Sequence, residues 1–280
     1  MPELPEVETI ARVLRDGSGD YQTSIIGCQI IGVRLLWERT LADPQPKQFI
    51  KQLAGQTIQS LSRRGKFLVF SLTDYCLLIH LRMSGDMRVE STIDQFGSPI
   101  SFEKHDRLGL EFNNGQRLVF NDTRKFGRAW LVKDPVEILG NLGPEPLDIT
   151  FTEEVFFKML LSRRRQLKPL LMDQHFLAGL GNIYTDEALH IARLHPLAFS
   201  DQITQAESAR LHAAICTVLA DGIEKNGASI DWVYRGGDFQ NHFRVYGRTG
   251  EPCPNCGTSI ERLVVGQRGT HICPKCQRLD

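Results

Sequence analysis

No run in these 280 residues approaches the roughly 20 consecutive apolar residues that a membrane-spanning helix needs. No secretory signal is legible at the start, so the expectation is a cytoplasmic protein with no membrane partner. Net charge is missing too: 33 basic side chains face 33 acidic ones. That balance argues weakly against a nucleic-acid ligand, because such domains are often basic. It does not exclude one, since a basic face can coexist with acidic surface elsewhere. Internal repeats and low-complexity segments are also absent, which removes repeat arrays and linker-dominated chains. What remains is ordinary: 41% hydrophobic and 24% charged residues in a length that predicts two domains.

The strongest local pattern lies at the far end. Cys253-Pro-Asn-Cys256 and Cys273-Pro-Lys-Cys276 are two CxxC knuckles with sixteen residues between them. Paired knuckles at that spacing fit a four-thiolate zinc site, each knuckle turning tightly so that both sulfurs reach one tetrahedral ion. Ile260–Val265 and Gly269–Ile272 predict a hairpin between them, turning at Gly266-Gln267-Arg268-Gly269. Disulfides are the alternative, disfavoured in a cytosolic chain. Four thiolates leave no open coordination position, so one structural Zn2+ is expected. Cys28, Cys76 and Cys216 have no nearby partners in sequence and read as buried thiols.

The opening Met-Pro-Glu-Leu-Pro-Glu carries a different signal. An initiator Met before a residue as small as Pro is normally removed, leaving Pro2 as a secondary amine. An α-amino group titrates at about 7.7–8.0, against about 10.4 for Lys, so much of it is uncharged and nucleophilic near neutrality. Glu3 and Glu6 lie within one turn of it. The alternative is a proline in the first turn of a helix, with the glutamates facing the positive end of its dipole.

Between these ends the pattern changes once. Val7, Ile10, Ala11 and Leu14 recur at helical spacing. Phe67–Leu72, Cys76–Leu81, Arg107–Phe112, Arg117–Phe120 and Ala129–Lys133 then read as short strands, with a turn signal at Asn113-Asn114-Gly115. One helix followed by a run of strands predicts a β-sandwich. Residues 134–150 are rich in Pro and Gly and read as a linker. Helices follow over a Thr152-capped segment, Leu167–Met172, Tyr184–Ala192 and Ala206–Glu224, the last ending at Gly222 and Gly227. Basic clusters at Arg63-Arg64-Gly-Lys66, Arg124-Lys125 and Arg163-Arg164-Arg165 with Lys168 suggest a phosphate-facing surface.

Taken in order, these motifs closely resemble the formamidopyrimidine-DNA glycosylase family, nearly end to end. The resemblance is carried by Pro2-Glu3-Leu4-Pro5-Glu6, Arg64-Gly65-Lys66, His80-Leu81-Arg82-Met83-Ser84-Gly85 and Lys104-His105-Asp106. It continues through Asp122-Thr123-Arg124-Lys125-Phe126-Gly127, Leu142-Gly143-Pro144-Glu145-Pro146, Leu180-Gly181-Asn182-Ile183-Tyr184, Val245-Tyr246-Gly247-Arg248 and the knuckles. It implies an α+β multidomain chain. A two-layered β-sandwich catalytic domain would span 1–133, a hinge 134–150 and a helix–two-turns–helix domain 151–228. A lesion-capping loop with Tyr234 would span 229–244, and the zinc finger 245–280.

The resemblance also implies chemistry. Pro2 attacks C1′ of an oxidised purine nucleotide flipped out of duplex DNA, and the base leaves. Glu3 moves the proton that opens the sugar ring, and the resulting Schiff base promotes β- then δ-elimination. Lys66 and Arg268 complete the implied catalytic set, with Lys66 otherwise a solvated lysine on a basic turn. Met83, Arg124 and Phe126 would fill the space the base vacates, Arg124 bonding the orphaned cytosine. His105, Lys168, Asn182 and Tyr246 would contact DNA, Asn182 at a helix start that favours an anion. His80 is left between a phosphate ligand and a strand residue, and Arg82 stands where a small residue is expected. The implied protein is a monomer acting on lesion-bearing double-stranded DNA beside the bacterial nucleoid. A non-catalytic zinc-ribbon nucleic-acid binder and a pyrimidine-specific relative are the alternatives.

Overall fold

The computed structural model describes residues 1–17, 23–229 and 236–279. The described residues divide into two compact units: one formed by Met1–Pro2 and the segment from Glu6 to Gly140, the other by Glu3–Pro5, Asn141–Ser229 and the segment from Gly236 onward. Of the expected capping loop, residues 230–235, Tyr234 among them, lie outside the described residues. No helix among the described residues is long and apolar enough to cross a membrane.

The first unit is a sandwich of two sheets. One has four strands in the order β1 (Ile30–Leu35), β7 (Asp106–Phe112), β8 (Gln116–Asp122), β6 (Gly85–Ser91). The other has five: β2 (Leu41–Asp43), β9 (Arg128–Val132), β5 (Cys76–His80), β4 (Phe67–Leu72), β3 (Ile58–Arg64). Pairing is antiparallel except between β2 and β9. The core joins Phe70, Leu77, Ile79, Leu110, Phe112, Leu118 and Phe120 from the sheets to Val7, Ile10, Ala11 and Leu14 of α1 (Leu4–Asp16). Helical spacing puts those four on one face, which is why α1 seals the sandwich.

The five predicted strands and the leading helix are present, each within a few residues. Four strands escaped the sequence. In β3 only Ile58 and Leu61 are buried, and the intervening Gln, Ser and Arg make it read as a loop. The short helix α2 (Pro46–Leu53) was also missed, having Phe49 and Leu53 as its only buried residues. The β7–β8 hairpin forms at the predicted turn, with Gly115 at φ +80°.

The second unit is helical, with α4 (Glu153–Leu161), α5 (Leu167–Leu171), α6 (Asn182–Ala192) and α7 (Gln205–Glu224) after the short α3 (Val136–Leu139) of the first unit. The Thr152 hydroxyl caps α4 by accepting from Val155 N–H, and Thr204 with Glu207 forms a capping box on α7. Gly222 does not end α7 as expected. It lies inside the helix, where a Cβ would press on the Tyr184 ring; the chain turns at Asn226 and at the expected Gly227, both at positive φ. The finger hairpin pairs β10 (Glu261–Val265) with β11 (Arg268–Ile272). Its turn is only Gly266-Gln267, both left-handed as a two-residue hairpin turn demands. Arg268 therefore begins a strand.

Candidate functional site

The expected residues fall on both units, and each set is built locally. On the sandwich unit Pro2 precedes α1 and is buried. Lys66 sits in the two-residue turn between β3 and β4, whose ends pair Arg64 with Phe67. Gly65 supplies the positive φ that this turn requires. A turn lysine is ordinarily solvated, yet Lys66 is only 4% exposed. That burial removes the solvated-surface alternative.

His80 ends β5 and is also buried. Its Nδ1 accepts from Arg82 N–H at 3.0 Å, and its ring meets Phe67 edge-on at 4.7 Å. It is therefore a strand residue that fixes the turn after β5. Burial, then the charges of Arg82 and Lys66, push its pKa down to about 3. Between that value and about 6.5 the unfolded chain binds a proton that folded His80 refuses. Stability should therefore be flat above pH 6.5 and fall as the pH drops below it. Between pH 6.5 and 5 the loss from this group is expected to reach about 2 kcal/mol. Urea unfolding of wild type and His80→Phe at both pH values checks this; parallel pH dependence in the two proteins would refute it.

Met83 and the Arg124–Phe126 pair stand on two turns that share one buried carboxylate. Asp122, at the end of β8, accepts from the Ser84 hydroxyl, from Arg124 N–H at 3.1 Å and from Gly127 N–H at 2.7 Å. Ser84 Oγ in turn accepts from Arg124 N–H at 3.0 Å. The 82–84 turn and the 123–127 turn are thus stapled together. Arg124 and Phe126 are exposed, the guanidinium 5.0 Å from the Phe126 ring centre. Nothing in the isolated motifs showed this role for Asp122 and Ser84, which depends on two strands meeting. Asp122→Ala leaves the Ser84 hydroxyl and Gly127 N–H unpaired, while Arg124 N–H keeps Ser84 Oγ, and is expected to destabilise the sandwich by about 3 kcal/mol. Hydrogen exchange should accelerate at residues 83–84 and 124–127; unchanged exchange there would remove Asp122 from that role.

Arg82 explains its own oddity. Its φ of +55° is left-handed, which glycine adopts freely and which costs a residue with a Cβ about 1–2 kcal/mol. His105 is half-buried, its Nδ1 3.3 Å from Arg107 Nη2. Of the basic clusters, Arg63 is tied to Glu8 at 3.1 Å and Arg165 to Asp173 at 2.6 Å.

The anion at the start of α6 is the chain's own Glu3 carboxylate, whose Oε1 accepts from Ile183 N–H at 3.0 Å and Oε2 from Tyr184 N–H at 3.5 Å. A carboxylate is stabilised there by free N–H groups and the helix dipole. A Cβ on Gly181 would overlap it, which is why the turn preceding α6 needs glycine. Asn182 turns away, donating Nδ2–H to Gly269 O at 3.1 Å.

Lys168, expected on DNA, is fully buried, its ammonium 2.6 Å from Asp186 and 3.1 Å from Gly269 O. Burial pulls its pKa down while Asp186 opposes that shift. With both oxygens already bonded, the ammonium holds the finger hairpin from beneath. Asp186 also accepts from His271 N–H at 2.9 Å. Arg268 is exposed at the hairpin tip, and Tyr246 is half-buried, its ring edge-on to His271 at 5.0 Å. Glu187, which no motif singled out, gathers the N–H groups of Arg244, Val245 and Tyr246 at 2.8–3.0 Å.

The four knuckle sulfurs lie within 4.8 Å of one another, Cys256 to Cys273 at 3.4 Å and Cys253 to Cys276 at 4.0 Å. Sulfurs bound to one tetrahedral zinc at about 2.3 Å stand about 3.8 Å apart, so the set fits. Cys253, Cys256, Cys273 and Cys276 hold one structural zinc ion, whose contribution is folding.

A four-thiolate finger with an exposed arginine at its tip, joined to helices that hold the Glu3 carboxylate, defines a zinc-finger protein. Family models agree. The formamidopyrimidine-DNA glycosylase N-terminal domain matches residues 1–129, the formamidopyrimidine-DNA glycosylase H2TH domain 142–233, and the zinc finger found in FPG and IleRS 250–279. Formamidopyrimidine-DNA glycosylase of Protochlamydia amoebophila is 45% identical over 287 residues, covering 99% of this chain and 100% of that protein. MutM in complex with carbocyclic 8-oxo-G containing DNA matches with a TM-score of 0.89 at 38% identity, over 99% of this chain and 100% of that one. Lactococcus lactis Fpg with abasic site containing DNA matches with a TM-score of 0.88 at 38% identity and the same coverage. The chain belongs to the formamidopyrimidine-DNA glycosylase family.

Proposed function

We infer that this chain is a base-excision-repair DNA glycosylase and AP lyase that excises oxidised purines, 8-oxoguanine and formamidopyrimidines, from duplex DNA. The observation that carries the mechanism is the Glu3 carboxylate, held by two N–H groups of α6 one residue after Pro2. A general acid–base must be fixed where protons move, and Glu3 is fixed through a helix terminus.

In this mechanism the free amine of Pro2 attacks C1′ of the flipped nucleotide. The bond from C1′ to the base breaks, and its electron pair leaves with the base. The ring oxygen O4′ takes a proton relayed by Glu3 as the sugar opens, leaving a C1′ iminium on Pro2 nitrogen. That iminium acidifies C2′; loss of its proton expels the 3′ phosphate, and a second elimination expels the 5′ phosphate. Lys66, buried at its turn, is a cation for the flipped nucleotide, and Arg268 reaches a phosphate from the hairpin tip. Met83, Arg124 and Phe126 occupy the vacated stack, with His105, Asn182 and Tyr246 along the backbone. We take 1–133 as the catalytic domain, 134–150 as hinge, 151–228 as the helical DNA-binding domain, 229–244 as capping loop and 245–280 as finger. The protein acts as a monomer on chromosomal DNA in the nucleoid.

Single-turnover excision from duplexes carrying 8-oxoguanine opposite cytosine, or thymine glycol opposite adenine, tests the substrate class. The purine lesion should be favoured on the order of 10²-fold, within the range that pocket discrimination supplies. Preference for thymine glycol would assign the chain to the pyrimidine-specific class instead.

A further inference from the structure

Helix α6 presents a polar edge to the finger. Asn182, Asp186, Glu187 and His190 recur at intervals that share one side of a helix with 3.6 residues per turn. The first three engage backbone groups of Gly269, His271 and residues 244–246. The fourth engages a metal ligand. His190 Nε2 lies 3.4 Å from Cys253 Sγ, with His190 fully buried and Cys253 nearly so.

The chemistry of the two groups decides who donates. A zinc-bound cysteine is a thiolate and can only accept. The proton must then sit on Nε2, which leaves Nδ1 as a bare acceptor. Nδ1 is indeed buried with no hydrogen-bond partner. An apolar side chain would fill this place without an unpaired nitrogen, so packing alone does not account for a histidine here. Two of the other knuckle sulfurs draw donors from their own loops. Thr258 bonds Cys256 through backbone and side chain, and Cys276 N–H reaches Cys273 Sγ at 3.4 Å. The donor to Cys253 comes from a different element.

We propose that His190 is a positioning residue of the zinc centre, donating Nε2–H to the Cys253 thiolate and making that sulfur less nucleophilic. Four thiolates around one dication leave an excess of two negative charges in a half-buried site. An N–H donor disperses part of that charge, which holds the sulfur on the metal and slows its attack on electrophiles. The same contact ties α6, whose first turn holds Glu3, to the finger that carries Arg268.

The test uses full-length zinc-loaded protein challenged with excess N-ethylmaleimide, with zinc release followed by a chromogenic chelator. Partners of this kind alter metal retention by about 10–100-fold, so His190→Phe should release zinc about tenfold faster than wild type. His190→Gln, whose Nε2 amide can replace the donor, should stay within about threefold of wild type on the same scale. Equal rates in all three proteins, or equal acceleration in both variants, would overturn the proposal. Should His190→Phe fail to fold, the ring itself decides: long-range ¹H–¹⁵N spectra of the wild-type holoprotein should show the Nε2-protonated tautomer. An Nδ1-protonated ring would overturn it.

Discussion

Borohydride added to a reaction on duplex DNA carrying 8-oxoguanine opposite cytosine is expected to leave a covalent protein–DNA adduct mapped to Pro2. Only an iminium is reduced to a stable amine, so the adduct reports the nucleophile and the lyase intermediate together. Retention of Met1 buries the proline nitrogen in an amide, which has no basic lone pair. Trapping by that form should fall by on the order of 10³-fold or more, the scale seen when a covalent nucleophile is removed. Pro2→Gly keeps a terminal amine that titrates at about 7.7–8.0, so it should trap more than the Met1-retaining form and less than wild type. Tight binding to the duplex with no adduct in any form would leave a lesion binder without this chemistry.

Removal of zinc should have the next largest effect. The buried cluster of the finger is small, Val245, Cys253, Ile260 and Cys273, and two of these four are metal ligands. So few apolar side chains cannot offset the entropy of ordering the finger. Metal binding in isolated fingers is worth about 10–16 kcal/mol. Chelation should therefore unfold residues 245–279, release Arg268 from β11 and weaken duplex binding by at least about 10²-fold. Fluorescence anisotropy on the 8-oxoguanine duplex, with zinc content measured on the same sample, checks this. Full affinity in verified zinc-free protein would mean the finger is not needed for binding.

Elements with strong local periodicity could be read without coordinates. The α1 stripe, the β4, β5 and β7–β9 strands, the Thr152 cap and the paired knuckles each write their cause into a few adjacent residues. Strand β3 and helix α2 do not, because each buries only two side chains and takes its conformation from neighbours. The site divides in the same way. Pro2 and the cysteines stand out by residue type and spacing, whereas Lys66 is singled out only by the family resemblance. The roles of Asp122, Glu187 and His190 do not, since each acts on groups far along the chain or across a strand pair. Lys168 shows the reverse: a lysine in a basic cluster reads as a phosphate contact until burial assigns it to Asp186. Sequence alone showed the strongly patterned elements and the four-thiolate zinc site, because those depend on side-chain chemistry and short-range geometry. Only the tertiary structure decided which carboxylate fills the start of α6 and which donors meet Cys253, because hydrogen-bond partners are chosen by proximity in space.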